Sequence, residues 1–282
     1  MSHVRNLFSR PSGLSHIPAE ASGPAGPENI ISLVNTAPAA APLPEFPIEE
    51  ARLSPASRLV YYDDPRSPAA DRFRLLRMRL KEFWTAGKLK KLLVTGPLAH
   101  TGKTTVLLNL ATALAERGKR TVLVLEADLH HSGIANILRL RPWAGLGECL
   151  VDDTIAPLSA IRRIEPLGWH LLPAGEPTSR NPTELLQSPA FGQIMQRLAP
   201  CFDWILIDSP PVIPLTDPLS LQSHADGTLL VVRAGETPRE AVEQTMTLLG
   251  KPKILGVVLN AVETSDHLYY RNYDSGKRNL RD

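Results

Sequence analysis

A chain of 282 residues has room for one sizeable α/β domain with appendages. Charges of both signs are interspersed to a formal net +2, so no basic field exists to hold nucleic acid non-specifically, and DNA is excluded as the principal partner. The two cysteines, Cys149 and Cys201, form no close-spaced metal or redox motif and are too few for a disulfide framework, which reads as reduced cytoplasmic thiols.

No stretch approaches the roughly 20 consecutive apolar residues of a spanning helix, and the charged N-terminus is not followed by the apolar core of a signal peptide. The expectation is a protein that neither is exported nor spans the membrane, with any membrane association made through a partner. Residues 1–56 carry Ala, Pro, Ser and Gly clusters such as GPAGPE and TAPAAAPLPEFP, too poor in periodic apolar residues to bury a face. They are expected to form a disordered, partly extended tether. Val4, Leu7 and Phe8 hint at a short amphipathic helix, although a frayed terminus reads better there.

Residues 57–262 are expected to form the folded domain. Its first element, Ser67 to Trp84, sets Phe73, Leu76, Leu80 and Phe83 at helical spacing, with Asp71, Arg74 and Arg77 along another stripe. That stripe reads either as a solvated face or as a subunit-contact surface. Next, the apolar run Leu92–Val94 stops at Gly96, a short loop follows, and Gly102-Lys103-Thr104-Thr105 opens an amphipathic segment closed by Gly118. Strand, phosphate loop and helix is the reading, with a nucleoside triphosphate as the ligand. Backbone N–H groups converge on phosphate at such a helix start, Gly102 lets the backbone approach, Lys103 adds a point charge and Thr104 offers a hydroxyl to Mg²⁺. The strict G-x-x-x-x-G-K-[ST] spacing is missed, because Pro97 stands at the first Gly position and Gly96 comes one step early.

The run Val122–Leu125 reads as a strand buried on both faces, ending in Glu126 and Asp128 where ligands collect at the carboxyl end of a parallel sheet. Carboxylates placed there call for a cation or a charged loop; acids capping the next helix are the bland alternative. Between Leu138 and Pro200 the sequence suggests short helices near Gly145–Val151 and Leu158–Ile164, a strand at Trp169–Leu172 and a helix from about Pro182 to Leu198. DWILIDSPP, Asp203 to Pro211, is again a buried strand, ending in Asp208 as Mg²⁺–water coordination requires. Strands at Gly227–Arg233 and Ile254–Asn260 flank a helix from about Pro238 to Leu249. This alternation argues for a doubly wound, mainly parallel α/β sheet of the three-layer P-loop type. Residues 263–282 form a polar, mobile tail that gathers Tyr269, Tyr270 and Tyr273.

Taken in this order the motifs resemble those of the bacterial tyrosine kinases of polysaccharide-export systems, in the form lacking a fused transmembrane activator. The resemblance runs from about Tyr61 to the C-terminus. DRFRLLRMRL places Asp71, Arg74 and Arg77 like the family's E-x-x-R-x-x-R ring-assembly motif; TGPLAHTGKTT is similar to its Walker A, VLVLEADLH to its Walker A′ and ILIDSPPV to its Walker B, followed by GVVLN and the tyrosine tail.

The resemblance implies an ATP- and Mg²⁺-dependent protein-tyrosine autokinase regulating exopolysaccharide or capsule export. Ala99, His100, Thr101, Gly102, Lys103, Thr104 and Thr105 would cradle the nucleotide phosphates, and Asn260 would touch the purine. Thr104, Asp128 and Asp208 would serve the metal, and Glu126 or Asp128 would take the phenolic proton. Asp217 matches a recurrent acid that supports the site. Tyr269, Tyr270 and Tyr273 would be phosphorylated in trans within a ring-shaped homo-oligomer. A membrane-bound chain-length regulator would activate the protein at the cytoplasmic side of the inner membrane.

Three departures bear on activity. Glu126 and His130 stand where the family's D-x-D-x-R has Asp and Arg, the tail holds only three tyrosines, and Asp71 shortens the reach of the assembly motif. Glu is one methylene longer than Asp, and a misplacement near 1 Å can cost about 10²-fold in a positioned reaction. Two other readings stay open: a nucleotide-switched interaction module like the partition and septum-positioning ATPases, and a degenerate kinase acting as scaffold. The former typically carries an early loop lysine, and Leu98 occupies that position here.

Overall fold

The structure, a computed structural model, describes residues 44–262. The tail tyrosines Tyr269, Tyr270 and Tyr273, and the N-terminal segment with Val4, Leu7 and Phe8, lie outside the described residues.

Among the described residues, eight strands make one sheet: β1 (Ile48–Glu50), β2 (Lys91–Thr95), β3 (Val122–Glu126), β4 (Arg162–Glu165), β5 (Trp169–Leu172), β6 (Trp204–Asp208), β7 (Gly227–Arg233) and β8 (Ile254–Asn260). Their order is β1-β4-β5-β3-β6-β2-β7-β8. Only the β4–β5 pair is antiparallel; the other pairs are parallel. The helices are α1 (Val60–Asp63), α2 (Pro68–Thr85), α3 (Lys103–Leu114), α4 (Ile134–Leu138), α5 (Leu146–Val151), α6 (Pro182–Gln187), α7 (Pro189–Leu198), α8 (Asp217–Ser223) and α9 (Arg239–Leu249).

The unbroken apolar runs of the central strands follow from burial on both faces. Side chains alternate across a strand, so each run divides between two cores. Leu92, Val94, Val122, Val124 and Leu206 pack with residues of α2, α3 and α4. Leu93, Leu123, Leu125, Ile205 and Ile207 face α5, α6 and α7. A smaller cluster, Val212, Leu230, Val232 and Leu249, is seated under α9. The doubly wound, mainly parallel sheet expected from the sequence is the one observed.

Three local expectations need correction. Residues 44–56 are not all tether: Ile48–Glu50 pairs in parallel with β4, the Pro47 carbonyl accepts from Arg163 N at 2.9 Å, and Phe46 stacks on Phe202 at 6.0 Å. A three-residue strand between prolines has no periodicity to betray it. The helix expected over Leu158–Ile164 is a short 3₁₀ turn, Pro157–Ala160, followed by β4. The helix expected over Pro182–Leu198 is two, broken at Ser188 (φ −70°, ψ 153°), because a residue before proline is driven out of the helical region.

Candidate active site

Strands β3, β6 and β2 are adjacent and parallel, so their carboxyl ends open together. Register sets both Val94 and Glu126 opposite Asp208. From β2 the chain passes through Gly96 into the loop that begins α3. A Cβ at Gly96 would stand 2.5 Å from Thr101 Oγ1 and 2.7 Å from the Val231 carbonyl. Gly96 is therefore required where it stands, which explains how the loop works with its first glycine one step early. Gly102, the N-cap of α3, has φ 87°, and a Cβ there would meet Asn260 Nδ2.

The loop is braced from the neighbouring strand ends. Asn260 Nδ2 donates to the Thr101 carbonyl at 2.9 Å, and Arg233 Nη1 donates to the His100 carbonyl at 3.3 Å. His100 is itself in the left-handed region, at φ 61°. Asn260 thus holds the phosphate loop with its amide nitrogen, a role distinct from the purine contact expected of it. Ala99 and His100 are exposed, Thr101 is buried and Thr105 is half-buried.

Lys103 opens α3 and is buried to 8 % exposure. Burial lowers its pKa, opposed by the nearby charges of Asp208 and Asp128. Asp208 closes β6, 3 % exposed; its Oδ2 accepts from Thr104 Oγ1 at 2.8 Å. Its carboxyl is pushed up to about 7, first by burial and then by Glu126 and Asp128, against the Thr104 hydrogen bond and the Lys103 charge. Asp128 is half-buried, and its Oδ1 accepts from His131 N at 3.0 Å. Lys103, Thr104, Asp128 and Asp208 are thus brought to one place, as the sequence led us to expect.

Glu126 does not fit the proton-acceptor role. It is 1 % exposed, and its Oε1 accepts from Gly133 N at 2.7 Å and Ile134 N at 2.8 Å while its Oε2 accepts from Ala174 N at 3.0 Å. With both oxygens engaged, this side chain ties the loop after β3 to the loop after β5. Its longer reach than Asp suits that task. Burial raises its pKa all the same.

His130, in the place of the family's arginine, meets Asp217 with Nε2 to Oδ2 at 2.8 Å. Asp217 is fully buried at the start of α8, so it supports the loop carrying Asp128. Sequence reasoning did not find Arg233 or the Ala174 N–H. Arg233 could have been suspected from its place at the carboxyl end of a strand.

Two observations bear on a metal and a nucleotide. Asp208 Oδ1 is buried with no hydrogen-bond partner, beside a hydroxyl already aligned on the same carboxylate. Gly96 and Gly102 also let the loop backbone close against Thr101, Val231 and Asn260, where a Cβ would clash, and so fix the loop that leads into α3. The described residues contain no group of three or more His, Cys, Asp and Glu side chains able to hold a metal among themselves. The donors fit Mg²⁺, which is commonly bound by one or two carboxylates with water and substrate phosphates completing the shell.

Residues 92–278 match the CobQ/CobB/MinD/ParA nucleotide-binding domain family. The chain is 31 % identical over 212 residues to the tyrosine-protein kinase CpsD of Streptococcus agalactiae, covering 70 % of this chain and 86 % of that one. This chain belongs to the bacterial tyrosine kinase family. A solved member, the kinase domain of the Escherichia coli tyrosine kinase ETK, superposes with a TM-score of 0.68 at 25 % identity, covering 73 % of this chain and 81 % of that one. The succinoglycan biosynthesis transport protein ExoP of Rhizobium meliloti (strain 1021) is 29 % identical over 79 % of this chain, which spans only 28 % of ExoP's length.

Helix α2 carries Asp71, Arg74 and Arg77, the residues expected from the sequence to make a subunit contact. Arg74 Nη1 pairs with Asp71 at 2.5 Å and its Nη2 donates to the Pro65 carbonyl; Arg77 Nη1 donates to the Ala113 carbonyl at 3.1 Å. Leu75 and Met78, on the same helix, are more than half exposed. No helix among the described residues is long and apolar enough to cross a membrane.

Proposed function

We propose that this chain is an ATP-dependent protein-tyrosine kinase that phosphorylates Tyr269, Tyr270 and Tyr273 of its C-terminal tail, chiefly between subunits of a ring. The buried, half-partnered carboxylate of Asp208 beside Thr104 and Lys103 is the observation that carries this reading. Thr104 and Asp208, with Asp128, would hold Mg²⁺, which when bound neutralises charge developing on the transferring phosphoryl group.

The remaining work falls to the protein's own groups. The backbone between Gly96 and Thr105 holds the phosphates, and Lys103 places its charge among them. The phenolic oxygen forms its bond to the γ-phosphorus as the bond from that phosphorus to the ADP oxygen breaks. Asp128 is the proton acceptor, since both oxygens of Glu126 are committed to backbone N–H groups. A membrane-bound chain-length regulator of polysaccharide export is the proposed activator, placing the kinase at the cytoplasmic side of the inner membrane. The family's link to polysaccharide biosynthesis supports this.

Incubation with Mg²⁺-ATP followed by mass spectrometry of residues 263–282 tests the reading. Phosphate on the tail tyrosines is expected with the wild type and at least 10²-fold less with Lys103→Met, in keeping with the loss of a transition-state contact of roughly 3 kcal/mol. ATP hydrolysis with an unmodified tail, activator present, would replace the kinase by a nucleotide-switched module.

A further inference from the structure

A second cleft of about 620 Å³ opens at the far end of α3, between the turn after that helix and the β4–β5 hairpin. Such a volume is within the range of small-ligand sites. Twelve residues of helix rising 1.5 Å each set it roughly 18 Å from the phosphate loop, so the cleft is separate from the nucleotide site. Its construction is specific. Glu116, Arg117 and Gly118 are three consecutive residues with positive φ (48°, 60° and 83°), two of them bearing side chains for which that region is costly. The turn packs closely on the hairpin: a Cβ at Gly168 would be 3.7 Å from Gly118 N, and one at Gly118 would be 3.9 Å from Arg163 Nη2.

The lining is strongly cationic. Arg74, Arg77, Arg117, Lys119 and Arg163 face it against two carboxylates, Glu116 and Glu165. Glu116 pairs with Lys81 at 3.3 Å and Glu165 with Arg163 of the same lining at 2.6 Å, while Arg74 pairs with Asp71 and Arg77 donates to the Ala113 carbonyl, so the five cations still outnumber the two lining acids. Arg117 and Lys119 are exposed and have no partner among the described residues. One wall is aromatic, with Tyr61 already under the Arg74 guanidinium at 5.4 Å from its centroid. Guanidinium forks match a phosphate dianion, and a cation-bearing aromatic wall suits an aryl ring.

We infer that this cleft binds a phosphorylated tyrosine from the C-terminal tail of a second copy of this chain. The inference rests on the kinase reading, which makes that group. Reach favours a second copy. Strand β8, from which the tail leaves, is six inter-strand steps from β4, or about 29 Å at roughly 4.8 Å each, and the cleft is at the opposite end of α3 from the phosphate loop. The nine and ten residues from Asn260 to Tyr269 and Tyr270 span about 30–36 Å fully extended, which leaves little for the turn around the sheet, so the inference is drawn for these two tyrosines and not for Tyr273, whose thirteen residues span about 43–47 Å. Binding here engages Arg74 and Arg77 of the assembly helix, so a modified tail competes for the groups proposed to close the ring.

The test uses the full chain without ATP and a fluorescent peptide of residues 263–282, bare or phosphorylated at Tyr269 and Tyr270. Because the phosphate is synthetic, the result does not depend on kinase activity. Fluorescence anisotropy at fixed ionic strength, with saturating Mg²⁺-ADP, should show the phosphopeptide binding at least tenfold tighter than the bare one. Arg117→Ala with Lys119→Ala, and independently Arg163→Gln, should remove most of that preference; Lys103→Met should keep it. Equal binding of the two peptides, indifference to both sets of cleft substitutions, or loss in Lys103→Met would overturn the assignment. Equal competition by a sugar 1-phosphate would overturn the tail as the ligand.

Discussion

At the scale of single residues, the buried carboxyl of Asp208 makes the site sensitive to pH. Its pKa is raised from 3.8 to about 7 in the fold, chiefly by burial. Between those values the folded protein holds a proton that the unfolded chain has released, so stability falls as pH rises through that window. Asp208→Asn removes this contribution, so the variant's thermal midpoint, measured without nucleotide, should gain on the wild type steadily from pH 5 to pH 7. Mg²⁺-nucleotide favours the ionised carboxylate, and its apparent affinity for the wild type should decline below pH 7. Parallel stability profiles for the two proteins would show that Asp208 is ionised throughout. The sequence disclosed Lys103, Thr104, Asp128 and Asp208 because each is fixed by its neighbours along the chain at the end of a strand or the start of a helix. It could not disclose the work of Glu126, whose three partners include Ala174, nor that of Asn260, whose amide crosses to Thr101. Those roles depend on which loops the folded sheet brings together.

At the scale of elements, the central strands and the long helices were legible because their apolar patterns are long and unmixed. The three-residue β1, the 3₁₀ turn before β4 and the break at Ser188 were not, since each is set by tertiary pairing or by a single proline. Helix α2 was legible as a helix but not in how its charges are used. Asp71 and Arg74 satisfy each other, and Arg77 caps a carbonyl near the end of α3, so part of the expected contact surface is turned inward. Leu75 and Met78 remain uncovered on the same helix and add apolar area to that surface. A head-to-tail contact through α2 repeats into a ring when its rotation closes. Replacing Arg74 and Arg77 by alanine should therefore convert an oligomer formed with Mg²⁺-ATP and activator into a monomer by light scattering. The accompanying loss of the charged Arg77–Ala113 hydrogen bond should cost about 1.5–3 kcal/mol of stability. A wild type that stays monomeric under those conditions would remove the ring.

At the scale of the whole molecule, the sheet order fixes where the tail begins relative to the candidate catalytic groups. Lys103 and Asp208 stand beside β2 and β6, with β7 between them and β8, from which the tail departs. Asn260 at the end of β8 is tied to the phosphate loop, so the tail starts close to its own site. Returning Tyr269 to that site needs a tight reversal within nine residues, whereas a neighbour in a ring is met with the chain extended. Each phosphate then adds about −1.5 to −2 charge, which repels the tail from carboxylates at Asp128 and Asp208 and draws it toward cationic surface. The prediction is transfer in trans. Lys103→Met protein with its tail intact, mixed with active protein lacking residues beyond Val262, should become phosphorylated at Tyr269, Tyr270 and Tyr273. The rate should rise with the square of total protein at low concentration, as a step between two copies requires. An inactive partner whose tail stays unmodified although mixed oligomers form would exclude transfer between subunits.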